Sequence, residues 1–203
     1  MKITGSGLAS AADQPGFVPL PTYLAGASVS LNGVDCPLVY VDPGEAMFQV
    51  PYATPLGELP LTVSSPAGLS SAFPITVSEA GPAILQWFGG RAIASNADGS
   101  LNGLDGPAAA NAMLQVLLIG IGRVTPAVAD GQNAPLNPVA VALNPASARI
   151  GAAAAAVQSL GLVPGYVGLA VAAILVPALP AGDYPLVITV AGVASTAATV
   201  SVH

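Results

Sequence analysis

Leu59-Pro60-Leu61-Thr62-Val63 and Tyr184-Pro185-Leu186-Val187-Ile188-Thr189-Val190 are two versions of one phrase, and the segments around them repeat in the same order. Ser28-Val29-Ser30-Leu31-Asn32-Gly33 and Phe48-Gln49-Val50-Pro51 precede the first copy, and Phe73-Pro74-Ile75-Thr76-Val77 follows it. Ala140-Val141-Ala142-Leu143-Asn144-Pro145 and Ile174-Leu175-Val176-Pro177 precede the second, and Ala198-Thr199-Val200-Ser201-Val202 follows it. The openings echo as well, Ile3-Thr4-Gly5-Ser6-Gly7 against Leu118-Ile119-Gly120-Ile121-Gly122. A strand-rich unit of under about 100 residues, present twice, predicts an all-β protein of two tandem β-sandwiches. Such a duplication points to structural or binding work rather than catalysis.

Composition agrees. Charged residues make up 7% of the 203 residues, against about 25% in an average soluble domain. Hydrophobic residues reach 53% with only 5% aromatic, alongside 23 Gly and 20 Pro. Turn formers among β-branched residues suit short strands joined by tight turns. The 4 basic residues (Lys2, Arg91, Arg123, Arg149) and a net charge of −6 make no phosphate-binding patch and argue against nucleic acid. Low surface charge also lowers colloidal solubility, so self-association or another surface protein is an expected partner. Cys36 is the 1 cysteine; it reads as a small buried hydrophobe on a strand.

Asn32-Gly33 between Ala27–Leu31 and Val34–Val41 is a strong hairpin signal, with Pro37 marking an edge or bulge. Ala46–Val50, Leu59–Ser64 and Ser71–Val77 complete a meander. Ser78-Glu79-Ala80-Gly81-Pro82 is the expected joint between domains 1–79 and 80–203, short enough to restrict their orientation. The second unit is expected to hold strands at Ala83–Phe88, Met113–Ile119, Gly168–Val176, Asp183–Ala191 and Ser195–Val202. Asp130–Pro138 and Gly161–Gly168 read as loops. The five-alanine run Ala152–Ala156 favours helix in isolation; its β surroundings make it a strand or one loose turn. Tyr166–Leu179 is apolar but shorter than the ~20 residues a transmembrane helix needs. No signal peptide opens the chain, as expected either of a cytoplasmic protein or of a secreted one in a mature or trimmed form.

These segments resemble a roughly 200-residue C-terminal domain shared by paralogous secreted proteins of Solibacter and other Acidobacteria. The resemblance rests on Gly5-Ser6-Gly7-Leu8, Pro19-Leu20-Pro21-Thr22, the Val29–Val41 hairpin, Asp42-Pro43-Gly44-Glu45 and Phe48-Gln49-Val50-Pro51. In the second half it rests on Asn96-Ala97-Asp98-Gly99-Ser100-Leu101-Asn102, Gly161-Leu162-Val163-Pro164-Gly165-Tyr166-Val167-Gly168 and Pro180-Ala181-Gly182-Asp183. It covers nearly the whole chain. It implies Ig-like (IPT/TIG-like) sandwiches on extracellular or cell-surface proteins, with no catalytic residues to carry over. This chain departs from the pattern in its apolar stretches Pro107-Ala108-Ala109-Ala110 and Ala152–Ala156.

The chemistry sought is sparse. The 1 histidine is the last residue, His203, which leaves no base for a Ser-His-Asp triad. Asp98, Ser100, Asn102 and Asp105 space like the first half of a calcium loop, but position 12 of that register is Ala109 rather than Glu. An Asp-Gly turn bonding its own backbone explains them better. Asp13, Asp42, Glu45 and Glu58 read as solvated turn carboxylates rather than a glycosidase pair. Trp87-Phe88 and Tyr166 are the candidate interaction surface, and Trp87 suits either packing at the joint or a binding platform.

Two functions of different kinds follow. The leading expectation is a non-enzymatic structural or adhesive module, with self-assembly into a surface fibre through terminal strands Met1–Gly7 and Ala197–His203 as its sharpest form. The alternative is a carbohydrate-binding or substrate-targeting module of a larger secreted protein. A small hydrolase is the remote third.

Overall fold

The computed structural model describes all residues, Met1–His203. The strands pair antiparallel, and Phe88–Gly90, a single 3-10 turn, is the one helical element. The chain divides into two compact units: Met1–Ser78 with Val128–Asn133, and Glu79–Ala127 with Ala134–His203. The short excursion Val128–Asn133 has no sequence signal beyond its Gly and Asp. It is held by Gly131 N–H donating to Gln49 Oε1 at 2.6 Å and Tyr52 N–H donating to Asp130 at 2.8 Å.

The first unit comprises β1 (Lys2–Thr4), β2 (Ser28–Leu31), β3 (Val34–Asp35), β4 (Leu38–Val41), β5 (Glu45–Phe48), β6 (Gly57–Ser65), β7 (Gly68–Leu69) and β8 (Phe73–Val77). One sheet runs β1-β5-β4; the other runs β3-β2-β6, with β7 and β8 side by side on β6. Alternation along β2 and β6 turns Val29, Leu31, Leu61 and Val63 inward, where they meet Leu38, Val41, Ala46 and Phe48 of the other sheet in one buried cluster. The Val34–Val41 run expected as a single strand is cut in two. Pro37 lacks the N–H a ladder needs, and the chain changes sheets across Cys36 and Pro37. Cys36 thus lies between strands rather than on one; it is wholly buried, which pushes its thiol up to about 11.

The second unit comprises β9 (Ala83–Ile84), β10 (Ala94–Ser95), β11 (Met113–Ile119), β12 (Val124–Thr125), β13 (Val141–Ala142), β14 (Ala146–Ile150), β15 (Ala153–Leu162), β16 (Ala170–Leu175), β17 (Gly182–Val190), β18 (Val193–Ala194) and β19 (Ala198–Val202). The strand order is β10-β11-β16-β15-β14-β17-β18, with β9 on β11, β13 on β15 and β19 on β17. Of the alanine run, Ala152 is in the turn after β14 and Ala153–Ala156 are strand, paired first with β14 and then with β16. Its small side chains leave β15 free to bend from one sheet into the other without the break that Pro37 makes in the first unit.

Hydrogen-bond register shows the duplication more sharply than the sequence does. Gly57-Glu58-Leu59-Pro60-Leu61 matches Gly182-Asp183-Tyr184-Pro185-Leu186: Gly57 pairs Val77 and Leu61 pairs Phe73, as Gly182 pairs Val202 and Leu186 pairs Ala198. The bulge between Leu38 and Tyr40 against β5 recurs between Val157 and Ser159 against β16. Two sequence matches are corrected. The counterpart of β2 is β14, which the sequence reading missed, and not Ala140–Pro145. Leu31 sits opposite Leu61 and Ile150 opposite Leu186. The counterpart of Ile3 is Val116 rather than Leu118, since Ile3 pairs Ala46 and Val116 pairs Ala172. Sliding β1 by two residues keeps the same face inward, so hydrophobicity alone cannot detect the shift.

A serine is shared by both copies. Ser70 Oγ accepts from Val63 N–H at 3.0 Å, and Ser195 Oγ accepts from Ile188 N–H at 3.1 Å. Ser195 is buried and Ser70 exposed, so water replaces the lost partner in only one of them. Ser195→Ala is expected to lower stability by about 1–3 kcal/mol and Ser70→Ala by well under about 1 kcal/mol, measured by urea unfolding. Equal losses would contradict this account.

Candidate functional site

The most distinctive surface feature grows out of β9. The strand expected over Ala83–Phe88 ends at Ile84, and Leu85–Ile93 forms a hairpin instead. Ile93 N–H donates to Leu85 O at 2.8 Å, Gln86 and Ala92 are bridged, and Trp87 N–H donates to Arg91 O at 2.8 Å. Gly89 and Gly90 close the tip with φ of 81° and 78°, a conformation that side-chain-bearing residues resist. The tip presents Trp87 at 56% exposure and Phe88 at 104%. Two large aromatic rings left in water on a tight turn are a costly surface to keep without a partner.

Polar contacts fix the base of this hairpin. Arg91 donates to Ser201 Oγ at 2.9 Å and forms an ion pair with Asp183, while Ser201 Oγ donates to Asp183 at 2.6 Å. Gln86 Nε2 donates to Ala197 O at 3.2 Å, and Ala92 N–H donates to Thr199 O at 2.9 Å. The Ser201 hydroxyl, and after it Arg91, holds the Asp183 carboxyl below its ordinary range. A depressed carboxylate adds stability above its unfolded pKa and loses it as pH falls through the lower folded value. Part of the acid unfolding transition below about pH 4 therefore belongs to Asp183. Asp183→Asn is expected to flatten that part in a pH titration of intrinsic fluorescence; an unchanged acid limb would refute the assignment.

The Asn96–Asp105 loop is closed on itself. Asp98 Oδ1 accepts from the Ser100 N–H at 2.9 Å and the Ser100 hydroxyl at 2.7 Å, and Asn96 donates to Gly106 O at 2.8 Å. Those bonds draw the Asp98 carboxyl downward in pKa, the Ser100 hydroxyl first. Asn102 ties the loop to β19: buried, it donates to Asn96 Oδ1 at 3.1 Å and to Ser201 O at 2.8 Å, and accepts from Ser201 N–H at 2.9 Å. Its amide acts as a strand partner for β19, which leaves Asp98 and Asp105 as the carboxylates of the loop. The sequence flagged Asn102 for its spacing and missed this role, which only the path of β19 reveals. The Asp42 turn is self-bonded too, accepting from Gly44 N–H at 2.6 Å, Glu45 N–H at 2.7 Å and Tyr40 Oη at 2.9 Å.

Tyr166 is 58% exposed on a different loop, where its carbonyl accepts from Ala134 N–H at 2.9 Å. The structure joins Trp87 and Phe88 in one turn and leaves Tyr166 on the separate connection between β15 and β16. No helix is long and apolar enough to cross a membrane.

No family model matches the chain, and no curated protein matches it. Among solved structures it is similar to the Bacteroides ovatus mixed-linkage glucan utilization locus protein SGBP-B in complex with a mixed-linkage heptasaccharide, at 14% identity and a TM-score of 0.32. The match covers 96% of this chain and 46% of that one, so the chain spans less than half the length of that protein.

Proposed function

We propose that this chain is a non-enzymatic extracellular binding module, built of two tandem Ig-like sandwiches, that takes a neutral glycan on the Trp87-Phe88 hairpin. The supporting observation is the exposed aromatic pair on a turn whose base is locked by Arg91, Asp183 and Ser201. Flat aromatic faces bury the apolar C–H faces of sugar rings, and a rigid turn loses little entropy on binding. A net charge of −6 with 7% charged residues disfavours polyanions and leaves uncharged polymers as the matching class. The acidobacterial resemblance supports the extracellular setting.

A panel of neutral polysaccharides in affinity electrophoresis tests it. Trp87→Ala is expected to weaken retention at least about tenfold, equivalent to about 1.4 kcal/mol. Retention unaffected by Trp87→Ala, or no retention by any polymer, would overturn the reading.

The structural or adhesive reading has support of its own in the sheet edges. Its terminal-strand form needs revision, because β19 is covered along its outer edge: Ala92 and Ala108 N–H groups donate to Thr199 O and Ser201 O, both at 2.9 Å. β1 is three residues long and carries Lys2, a charge that discourages edge pairing. Self-association, where it occurs, calls for a different edge.

A further inference from the structure

That edge is found by comparing the copies. β8 occupies in the first unit the place β19 holds in the second, each paired to its long partner strand in identical register. Along β19 and the residue that follows it the outward residues are Thr199, Ser201 and His203. Ala92 N–H reaches Thr199 O at 2.9 Å, the Asn102 amide and Ala108 serve Ser201, and His203 N–H donates to Ala108 O at 2.9 Å. The counterparts in the first unit are Pro74, Thr76 and Ser78, all exposed and without a backbone hydrogen bond on the outward side. Side chains differ in the same sense. Ala198 is 2% exposed, whereas its counterpart Phe73 is a large ring at 66%.

We infer that the outer edge of β8 is an interface for a second copy of this chain, paired antiparallel about a two-fold axis at Thr76. The backbone pattern is self-complementary there. Each Thr76 N–H meets the other Thr76 carbonyl, and each Ser78 N–H meets the other Pro74 carbonyl. Pro74 lacks an N–H, so the ladder ends after these four bonds. In this register Phe73 lies diagonal to Val77 of the second copy and opposite its Glu79. A five-residue edge buries little area, which places the pair in the weak, reversible class of interface below about 1,200 Å². The edge is spent in forming one pair, so the product is a closed dimer and not a filament. This inference is independent of the glycan reading, since Trp87 and Phe73 belong to different units.

Sedimentation velocity from micromolar to millimolar protein tests it, with Trp87→Ala run alongside. A concentration-dependent dimer is expected, unaffected by Trp87→Ala. Thr76→Pro removes the central donor without touching the inner ladder, which uses Phe73, Ile75 and Val77, and should weaken dimerisation at least tenfold. Phe73→Glu removes an exposed ring and sets a carboxylate opposite Glu79 of the second copy, and should do the same, which keeps the test valid if Thr76→Pro fails to fold. Pro74→Thr restores a donor and should tighten the dimer. A strict monomer at all concentrations, a dimer indifferent to Phe73→Glu, or open filaments in negative stain would each overturn the inference.

Discussion

Gly120→Ala is expected to destabilise the second unit by about 3 kcal/mol or more, among the larger effects a single methyl group can have. Gly120 has φ of 76°, and a Cβ there would lie 2.0 Å from Gly81 O and 2.7 Å from Gly81 C. Both obstacles are backbone, so no side chain can swing aside. Gly81 N–H also donates to Gly120 O at 2.9 Å, and the adjacent Ile119 and Leu118 pair with Ala83 and Ile84. Relief of the collision must break that bond and peel β9 from β11. Gly122 repeats the arrangement, its Cβ meeting Glu79 O at 2.3 Å, while Ile121 between the two glycines is buried. The control is Gly165→Ala, where φ is 82° and nothing lies within 4 Å. That variant carries only the left-handed backbone penalty of about 1–2 kcal/mol. Urea unfolding of both variants separates collision from conformation. If Gly120→Ala loses no more than Gly165→Ala, the close approach is not what requires glycine at that position.

The same glycines show where a sequence can and cannot be read. Gly120-Ile121-Gly122 was visible as an echo of Gly5-Ser6-Gly7, but the reason for the glycines is a crossing by Glu79–Gly81, distant in sequence, that no local pattern encodes. The pattern of apolar, β-branched runs between turn residues placed β2, β6, β11 and β17 well. It failed at β14, Ala146-Ser147-Ala148-Arg149-Ile150, where small and charged residues hide a strand that long-range pairing with β17 imposes. It also failed at Pro37, where the two copies handle the sheet change differently. The aromatic pair was legible as a candidate surface from composition. Its hairpin was not, because Arg91, Asp183 and Ser201 come together only through the fold. The bare edge of β8 was invisible for the same reason: it is defined by what covers β19.

Asn102→Leu is expected to destabilise the second unit by roughly 3 kcal/mol and, on the glycan-binding role proposed above, to weaken retention as well. The amide is a surrogate strand, giving Nδ2–H to Ser201 O and taking Ser201 N–H on Oδ1, with a further bond of 3.1 Å to Asn96 Oδ1. Leucine fills similar volume but orphans the Ser201 N–H in a buried setting, a penalty of about 1–3 kcal/mol before the lost amide bonds are counted. Ser201 O keeps its bond from Ala108 N–H, so the loss falls chiefly on one donor. Because the Ser201 hydroxyl links Asp183 to Arg91, loosening β19 loosens the base of the Trp87 hairpin. Retention should therefore fall less than in Trp87→Ala, where the ring itself is gone. Asn102→Asp separates hydrogen bonding from volume. A carboxylate can still accept from Ser201 N–H but sets a negative oxygen against Ser201 O, so its folded pKa rises above the unfolded one. Protonation restores a donor, and this variant should grow more stable relative to the parent as pH falls through that raised pKa. A penalty in Asn102→Asp that is the same at pH 4 and pH 7 would show that the amide is not paired to β19 in solution.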